Sequence, residues 1–247
     1  MTLPMSVLES LKRFDTPTVC NVIELLDCRP RTSGYLDGRI RACFPKLPPM
    51  VGFAVTATFR AGAPPRGDDA YAGLDHQVED LAAMAGPKVI VFQDLDDPPT
   101  AATFGEVMCT TYRAFGAVGL ITSGAGRDLD QVEPLAFPCF TGGTICSHGY
   151  CQIAALNVPV RVGGVWINPG DLLHGDLNGV TTIPREWAAA VAEGCTGLMQ
   201  AEAVVLDYLK HPQPSAAGYK QARAECQRQI QTLAARLKSR RAGTDES

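Results

Sequence analysis

The sequence predicts an α/β protein with a helical C-terminal extension. Two continuously apolar segments of strand length, KVIVFQD (88–94) and AVGLIT (117–122), enclose EVMCTTYRAF (106–115), which has helical character and lies between two glycines. A strand–helix–strand unit of this length is typical of a parallel crossover. The valine- and glycine-rich region 137–184 predicts several short strands joined by tight turns, and the chain after it is helical in character.

The N-terminal half contains further predicted elements. SVLESLKRF (6–14) and DTPTVCNVIELLD (15–27) predict two helices, the second with Asp15 or Thr16 as N-cap and Pro17 in its first turn. Residues 28–50 are rich in loop-forming residues, and VGFAVTATFR (51–60) predicts a strand. In residues 67–86 the spacing of apolar residues predicts a helix that ends at Gly86.

The C-terminal region divides into two predicted helices. The first covers residues 185–211, and Gly194 and Gly197 leave open a break within it. HPQPSAAG predicts a linker, and a polar helix is predicted over residues 219–240. We therefore expect a domain at residues 1–211, followed by a linker and helical tail at residues 212–247.

Composition limits the classes of function. The chain has 247 residues, 46% of them hydrophobic, with a formal net charge of −4 and a pI of about 5.6. These values are typical of a globular protein and provide no basic surface for nucleic acid. The apolar runs are of strand length, and the first residues lack a secretory pattern, so we expect no membrane span and a cytoplasmic location.

The nine cysteines are scattered and include no C-x-x-C pair. Cys139, Cys146 and Cys151 form the densest group, with His148 among them, which makes a zinc site conceivable. Their spacing matches no standard structural zinc pattern. Buried free thiols are the favoured interpretation.

The segment from Gly105 to Asp128 carries the chemistry. A helix that begins after Gly105 has unpaired N–H groups at its first turn, and these favour an anion. Arg127 and Asp128, in SGAGRDLDQ, follow the next strand of the crossover. Ligands of parallel sheets commonly bind at the carboxyl ends of the strands. One small site is therefore expected to combine helix amides, a guanidinium and a carboxylate.

These groups suit a small 2-oxo acid bound through a divalent cation. Asp128 would hold Mg²⁺ or a similar ion such as Mn²⁺, with water completing the oxygen shell. The substrate carboxylate would bind the amides and Arg127, and an enolate would be stabilised by the cation with help from Arg127. No catalytic lysine is apparent, because Lys88 is expected at the exposed edge of a strand. The alternative is an ordinary surface ion pair, which contributes only about 0–1 kcal/mol.

Several motifs together resemble a known family. They are FGEVMCTTYRAFGAVGLITSGAGRDLDQV, then FPCF, then VPVRVGGVWINPGDLLHGDLNGVTTIP, and near the start LKRFDTPTVCNVIELL. The ordered set resembles the family of 4-hydroxy-4-methyl-2-oxoglutarate aldolases, which have oxaloacetate decarboxylase activity, and of RraA-type regulators of RNase E. The resemblance implies an α/β/β/α sandwich of the swivelling-domain type, homotrimers or homohexamers, and an active site between subunits.

The resemblance also assigns roles to individual residues. Gly105, Glu106, Val107 and Met108 match the segment whose amides hold the pyruvate carboxylate. Arg127 matches the substrate-binding arginine, and Asp128 matches the magnesium ligand. Glu106 occupies the place of an acid that orients a metal-bound water and serves as a proton donor to the enolate. Glu202 is the match by spacing for an acid supplied by the neighbouring subunit.

The sequence departs from the family pattern at three positions. Glu106 stands where the aldolases carry aspartate, which keeps a carboxylate but lengthens its reach. Gln131 stands where they carry an acid, although Asp130 is adjacent, and Ser123 stands where an aspartate is frequent. The resemblance thus implies a metal-dependent lyase that releases pyruvate by retro-aldol cleavage, decarboxylates oxaloacetate, or does both. The alternatives are a non-catalytic RraA-type regulator that binds protein, and an enzyme with another 2-oxo or hydroxy-acid substrate.

Other conspicuous residues receive structural interpretations. Asp171 is expected to cap backbone N–H groups in a turn, and Asp176 with Gly179 to form a hairpin turn. His174 is assigned to a surface or an interface, and Trp166 to packing.

Overall fold

In the computed structural model, residues 3–65 and 73–242 are described. The chain divides into two compact units, a sheet unit of Thr32–Arg185 and a helical unit of Met1–Arg31 with Glu186–Ser247. The helices are α1 Met5–Leu11, α2 Thr16–Leu26, α3 Leu74–Ala83, α4 Glu106–Ala114, α5 Leu129–Val132, α6 Ala188–Leu209 and α7 Ala216–Ala242. The strands are β1 Arg41–Ala42, β2 Met50–Arg60, β3 Lys88–Asp94, β4 Ala102–Phe104, β5 Ala117–Thr122, β6 Ala125–Gly126, β7 Cys139–Thr141, β8 Gly143–Thr144, β9 Gln152–Leu156, β10 Val160–Val162, β11 Val165–Ile167, β12 Leu172–Asp176 and β13 Gly179–Ile183.

The main sheet has eight strands, and four of them are parallel. Its order is β1-β7-β5-β3-β2-β12-β13, with β9 paired to β2. Strands β2, β3, β5 and β7 run parallel, whereas β1, β9, β12 and β13 pair antiparallel to their neighbours. The predicted crossover from β3 through α4 to a parallel β5 is confirmed, as is the α/β class with its helical C-terminal part.

Both faces of the main sheet are buried. Side chains alternate along each strand, so Ile90 and Phe92 of β3 join one core with Met108 and Tyr112 of α4. The opposite face, represented by Val91, joins a second core with residues of the β10–β11 ribbon. Burial on two sides explains why β3 and β5 appear in the sequence as continuous apolar runs.

A second, smaller sheet contains β4, β6 and β8, all parallel. Its strands have only two or three residues each. Strands this short carry no detectable hydrophobic period, so the sequence analysis did not resolve this sheet.

The helical unit consists of α1, α2, α6 and α7. Asp15 is the N-cap of α2, and its carboxylate accepts a hydrogen bond from the Thr18 backbone N–H at 2.7 Å. The break considered near Gly194 does not occur, because α6 runs without interruption. A Cβ at Gly194 would lie 2.6 Å from Cγ1 of Val22, and one at Gly197 would lie 2.8 Å from Cδ1 of Leu233. These glycines therefore permit close helix packing and do not end the helix.

One helix in the described part of the chain is long and apolar enough to cross a membrane by length and composition alone. It spans Arg185–Leu209 with a hydropathy of 1.2. Its uninterrupted apolar runs are still of strand length, because Glu193, Gln200 and Glu202 divide them, and the criterion is met by the mean hydropathy of the window. Within the helical unit α6 packs along α7, α2 and α1, and a core helix of this kind meets the same criteria.

Other individual expectations had mixed outcomes. Asp171 accepts a hydrogen bond from the Asn168 N–H at 2.8 Å, and Asp176 opposes Gly179 at the β12–β13 hairpin, as predicted. Three others are wrong. Lys88 is buried and donates to the Phe115 carbonyl at 3.2 Å, His174 is fully buried, and Trp166 is 62% exposed. The predicted helix over residues 67–86 is observed as α3, and residues 67–72 lie outside the described residues.

Candidate functional site

The small parallel sheet brings the two halves of the predicted site together. Strand β4 ends at Phe104, immediately before Gly105, and β6 ends immediately before Arg127. The strands are in register with Phe104 opposite Gly126, and the Arg127 N–H donates to the Phe104 carbonyl at 3.0 Å. Segments that are 22 residues apart in sequence thus emerge side by side.

Gly105 has no space for a Cβ unless the Arg127 and Asp128 side chains move. A Cβ at this position would lie 2.5 Å from Oδ2 of Asp128 and 3.1 Å from both Cγ and Nε of Arg127. Its own backbone is extended, so conformational freedom is not the reason for glycine. The absence of a side chain lets the Arg127 and Asp128 side chains lie directly against the start of α4.

Asp128 has an unusual backbone. Its φ and ψ are 55° and 35°, in the left-handed region that few residues other than glycine adopt. Its carbonyl accepts from the N–H groups of Gln131 and Val132, which starts α5. Its Oδ2 accepts the Glu106 N–H at 3.2 Å and lies 3.5 Å from Nε of Arg127. The side chain is therefore held at the N-terminus of α4, where a negative charge is favoured.

The first turn of α4 presents the predicted binding amides. Glu106 and Val107 are exposed, Val107 at 75%, whereas the Met108 side chain is buried. The Asp128 carboxylate accepts a hydrogen bond from the Glu106 N–H. Within the described residues, the N–H groups of Val107 and Met108 have no protein acceptor. Two of the four predicted positions thus retain amides oriented for an anion.

The Arg127–Asp128 contact is open to solvent and loose. The two side chains are 29% and 37% exposed, and 3.5 Å is long for a charge-assisted hydrogen bond. Within the described residues, no group of three or more potential metal-ligating side chains occurs. A cation at Asp128 would therefore have one protein carboxylate and several waters. This donor set fits Mg²⁺ or Mn²⁺, which retain water readily, and does not fit a structural metal cage.

Glu202 lies elsewhere in the chain. It is half-buried on α6 in the helical unit, whereas Arg127 and Asp128 belong to the sheet unit. Burial and the nearby Glu202 carboxylate raise the pKa of the Cys226 thiol. The contribution of Glu202 to a neighbouring subunit's site stays a prediction.

A cavity of about 1040 Å³ lies at the carboxyl ends of β3, β5 and β7. Ala125 and Leu129, on either side of the Arg127–Asp128 pair, contribute to its wall, and so does Asp94 at the end of β3. The sequence analysis missed Asp94. The available signal was a carboxylate that directly follows a buried strand.

The cysteines do not support a zinc site. Cys139 and Cys151 are buried as predicted, but Cys146 is exposed, so the expectation of buried thiols is wrong for it. Burial raises the pKa of Cys151 to about 11 and that of Cys139 well above its usual value. The Sγ atoms of Cys139 and Cys109 lie 3.9 Å apart, as free thiols.

Comparison with known proteins identifies the family. A family model described as RraA-like (Aldolase/RraA) matches residues 16–182, more than half of the chain. The chain belongs to the RraA-like family. The match includes β4, α4, β6 and the Arg127–Asp128 pair.

Individual proteins match this RraA-like chain at modest sequence identity. A Halalkalibacterium halodurans protein named "Putative 4-hydroxy-4-methyl-2-oxoglutarate aldolase" is 38% identical over 108 residues, which are 42% of this chain and 51% of that protein. The chain thus spans about half the length of this curated relative. Solved structures extend the similarity of fold. An uncharacterised protein from Pseudomonas syringae pv. tomato is 24% identical with a TM-score of 0.72, covering 91% of this chain and 95% of that one.

A second solved structure is described as a member of an inhibitor family. Streptomyces coelicolor RraAS2, described as an unusual member of the RNase ES inhibitor RraA protein family, is 25% identical with a TM-score of 0.66. The match covers 82% of this chain and 96% of that one. The similar proteins therefore include one with an aldolase name and one described as a member of a ribonuclease-inhibitor family.

Proposed function

We propose that this chain is a divalent-cation-dependent carbon–carbon lyase that acts on small 2-oxo acids. The observation that carries the proposal is the placement of Arg127 and Asp128 against the first turn of α4, enforced by Gly105. The name of the Halalkalibacterium halodurans relative supports the same class of reaction. The proposed reactions are retro-aldol cleavage of 4-hydroxy-4-methyl-2-oxoglutarate-type substrates and decarboxylation of oxaloacetate.

The substrate carboxylate would bind at the start of α4. The Val107 and Met108 amides donate to one side of the carboxylate, and the Arg127 guanidinium donates from the other. Arg127 is 29% exposed and makes only a long contact with Asp128, so it can turn toward a ligand without breaking a buried ion pair.

The chemical requirement is the same for both reactions. The bond between C3 and C4 of the 2-oxo acid breaks, and its electron pair moves toward C2 and the oxo oxygen. In decarboxylation C4 leaves as carbon dioxide. In the retro-aldol reaction C4 leaves as the carbonyl carbon of a second product, and its hydroxyl passes its proton to water. A divalent cation bound at Asp128 would supply Lewis-acid polarisation of the oxo group. Arg127 places a fixed positive charge beside the same oxygen.

The released enolate must gain a proton at C3 to become pyruvate. Glu106 is the acid on the exposed surface of the first α4 turn, one residue from the binding amides. We assign it the delivery of this proton, directly or through water. General acids of this kind typically contribute 10²–10⁴-fold in rate.

The test is pyruvate release from oxaloacetate and from 4-hydroxy-4-methyl-2-oxoglutarate, with Mg²⁺ and with excess EDTA. We expect release that EDTA abolishes and added Mg²⁺ or Mn²⁺ restores. Arg127→Lys and Glu106→Gln should each lower kcat by roughly 10²-fold or more. Release that is insensitive to EDTA and unchanged in Asp128→Asn would overturn the proposal. A panel of other 2-oxo and hydroxy acids tests whether Gln131 marks a different substrate.

A second candidate function is RraA-type regulation of a ribonuclease. The similarity to Streptomyces coelicolor RraAS2 favours it. It predicts that the purified chain slows RNA cleavage by an RNase E-type enzyme, with Asp128→Asn as effective as wild type. Inhibition without lyase activity on any panel member would establish this alternative.

A further inference from the structure

Asp94 is a buried carboxylate that the proposed chemistry does not use. It is the last residue of β3, only 9% exposed, and lies in the wall of the cavity at the carboxyl ends of the parallel strands. A carboxylate this deeply buried is unfavourable unless its oxygens are satisfied. The question is therefore which groups stabilise the Asp94 carboxylate at this position.

The two oxygens of Asp94 differ. Oδ1 accepts the Asp96 N–H at 3.0 Å, and the backbone N–H of Asp94 donates to the Ser123 hydroxyl at 2.9 Å. Oδ2 is buried and has no hydrogen-bond partner among the described residues. Burial raises the pKa of Asp94 to about 6, and the nearby Asp96 carboxylate contributes to that rise.

Oδ2 lies against Gly124 and close to Thr103. A Cβ at Gly124 would overlap both Oδ2 of Asp94 and Oγ1 of Thr103. The Gly124 N–H donates to the Thr122 hydroxyl at 2.9 Å, and the Thr122 hydroxyl donates to that of Thr103 at 3.1 Å. Because the Thr103 hydroxyl accepts the bond from Thr122, its own hydrogen remains available to donate to another acceptor. Oδ2 of Asp94 is the adjacent acceptor that has no donor.

These contacts lie beneath the candidate site. Thr103 belongs to β4, two residues before Gly105, and Gly124 comes three residues before Arg127. The Asp94 carboxylate and the Thr103 side chain thus both lie next to Gly124, in the segment that leads into β6. Thr103 and Thr122 are fully buried.

We propose that Asp94 is a positioning residue for the candidate site, acting through Thr103 and Gly124. Oδ2 of Asp94 and the Thr103 hydroxyl are not hydrogen-bonded in the structure. When Asp94 is charged, a small rotation of its carboxylate lets Oδ2 accept the Thr103 hydroxyl hydrogen, which fixes β4 relative to the segment before β6. The separation between the start of α4 and the Arg127–Asp128 pair is thereby held constant. This inference rests on the proposed lyase function for its catalytic consequence, but the positioning itself does not.

The inference makes the site sensitive to pH. Protonation of Asp94 removes the negative charge that strengthens a bond from Thr103, so the site loosens as the pH falls through about 6. The charged groups around Asp94 include Asp96, whose Oδ2 accepts from the Ala61 and Gly62 amides and from Thr100. The other charged residues that line the same cavity are Arg39, Arg41, Asp97 and Arg161.

The catalytic test compares pH profiles of pyruvate release. Wild type should lose kcat below about pH 6 with little change in KM. Asp94→Asn removes the negative charge and so mimics the protonated acid. Its kcat at pH 7.5 should be roughly tenfold below wild type and flat between pH 5 and 7.5. Thr103→Val should behave similarly, and the double variant should be no worse than either single one. Asp97→Asn, in the same cavity, should retain the wild-type profile.

An NMR titration keeps the test independent of activity. The Asp94 carboxyl carbon should titrate near pH 6, and Thr103→Val should raise that midpoint because the charged form loses a donor. The Glu106 and Arg127 amide signals should follow the same midpoint in wild type and lose it in Asp94→Asn. The inference would be overturned, even in an inactive protein, if the Glu106 and Arg127 amide shifts did not follow the titration of Asp94. It would also be overturned if Thr103→Val left the titration midpoint of Asp94 unchanged. If the shifts follow Asp94 but no lyase activity exists, the proposed function fails and the positioning role stands.

Discussion

The Asp128 carboxylate accepts a hydrogen bond from the backbone N–H of Glu106 at 3.2 Å, across 22 residues of sequence. This bond connects the residue assigned to the cation with the helix assigned to the substrate carboxylate. It depends on Gly105, because any side chain there would occupy the position of the Asp128 carboxylate. Gly105, the first turn of α4 and the Asp128 carboxylate of the candidate site therefore restrict one another's positions.

Gly105→Ala should disable the site without unfolding the protein. The new Cβ displaces the Asp128 and Arg127 side chains, and a displacement of about 1 Å costs roughly 10²-fold in rate. Gly38→Ala is the matched control, since its Cβ would meet nothing within 4 Å. Steady-state pyruvate release and thermal denaturation measure the two effects. Equal activity in both alanine variants would show that the close approach at Gly105 has no catalytic role.

Asp128→Asn and Asp128→Ala should differ in stability although both lose activity. Asparagine tolerates the left-handed backbone and can still accept the Glu106 N–H, whereas alanine is strained there and cannot accept it. We expect the alanine variant to be less stable than the asparagine variant by about 1–2 kcal/mol. Urea unfolding measures this difference. Identical midpoints would mean that the backbone of residue 128 relaxes at no cost.

Stability should depend on pH through Asp94. Its pKa of about 6 in the folded chain is above the ordinary 3.8, so the folded state binds this proton more tightly than the unfolded state. The stabilisation is complete below about pH 4 and is lost as the pH rises through about 6. Asp94→Asn should therefore match wild type near pH 4 and exceed it at pH 7.5, by up to about 3 kcal/mol. Chemical unfolding at several pH values checks the sign, and a constant difference would contradict it.

The thiols should separate by reactivity. Burial raises the pKa of Cys43 to about 12 and leaves Cys109 and Cys139 inaccessible, whereas Cys146 is exposed. A thiol-specific reagent should therefore label one cysteine fastest in the native protein. Cys146→Ser should remove that fastest phase, with Cys139→Ser as the control that retains it. Persistence of the phase in Cys146→Ser would assign it to another thiol.

Gly194→Ala should destabilise the helical unit, although alanine is the better helix former by about 1 kcal/mol. The added methyl would lie 2.6 Å from Val22 and 2.9 Å from Leu237, so overcrowding outweighs propensity. Thermal denaturation should show a lower midpoint for this variant. Adding Val22→Ala should restore part of the loss. A higher midpoint for the single variant would indicate that α2 moves freely.

The sequence analysis was most successful where the signal was local. The apolar runs of β3 and β5 and the glycines around α4 predicted the crossover, and the Asp15 cap and the Asp171 turn were also predicted. It failed where burial is decided by distant residues. The burial of Lys88 and His174, the close packing at Gly194 and the small sheet that aligns Gly105 with Arg127 all depend on partners far along the chain. Asp94 was missed for the same reason, because its environment is formed by Thr103 and Gly124.

Few amino acids tolerate the backbone found at residue 128, and this narrows the mutational paths open to the protein. Asparagine and glycine are the replacements that this backbone conformation strains least, and the codons of each differ from an aspartate codon by one nucleotide. Both abolish the negative charge while leaving the scaffold folded. A lineage with this architecture can therefore exchange the proposed catalysis for pure binding in a single step, without first crossing an unstable intermediate.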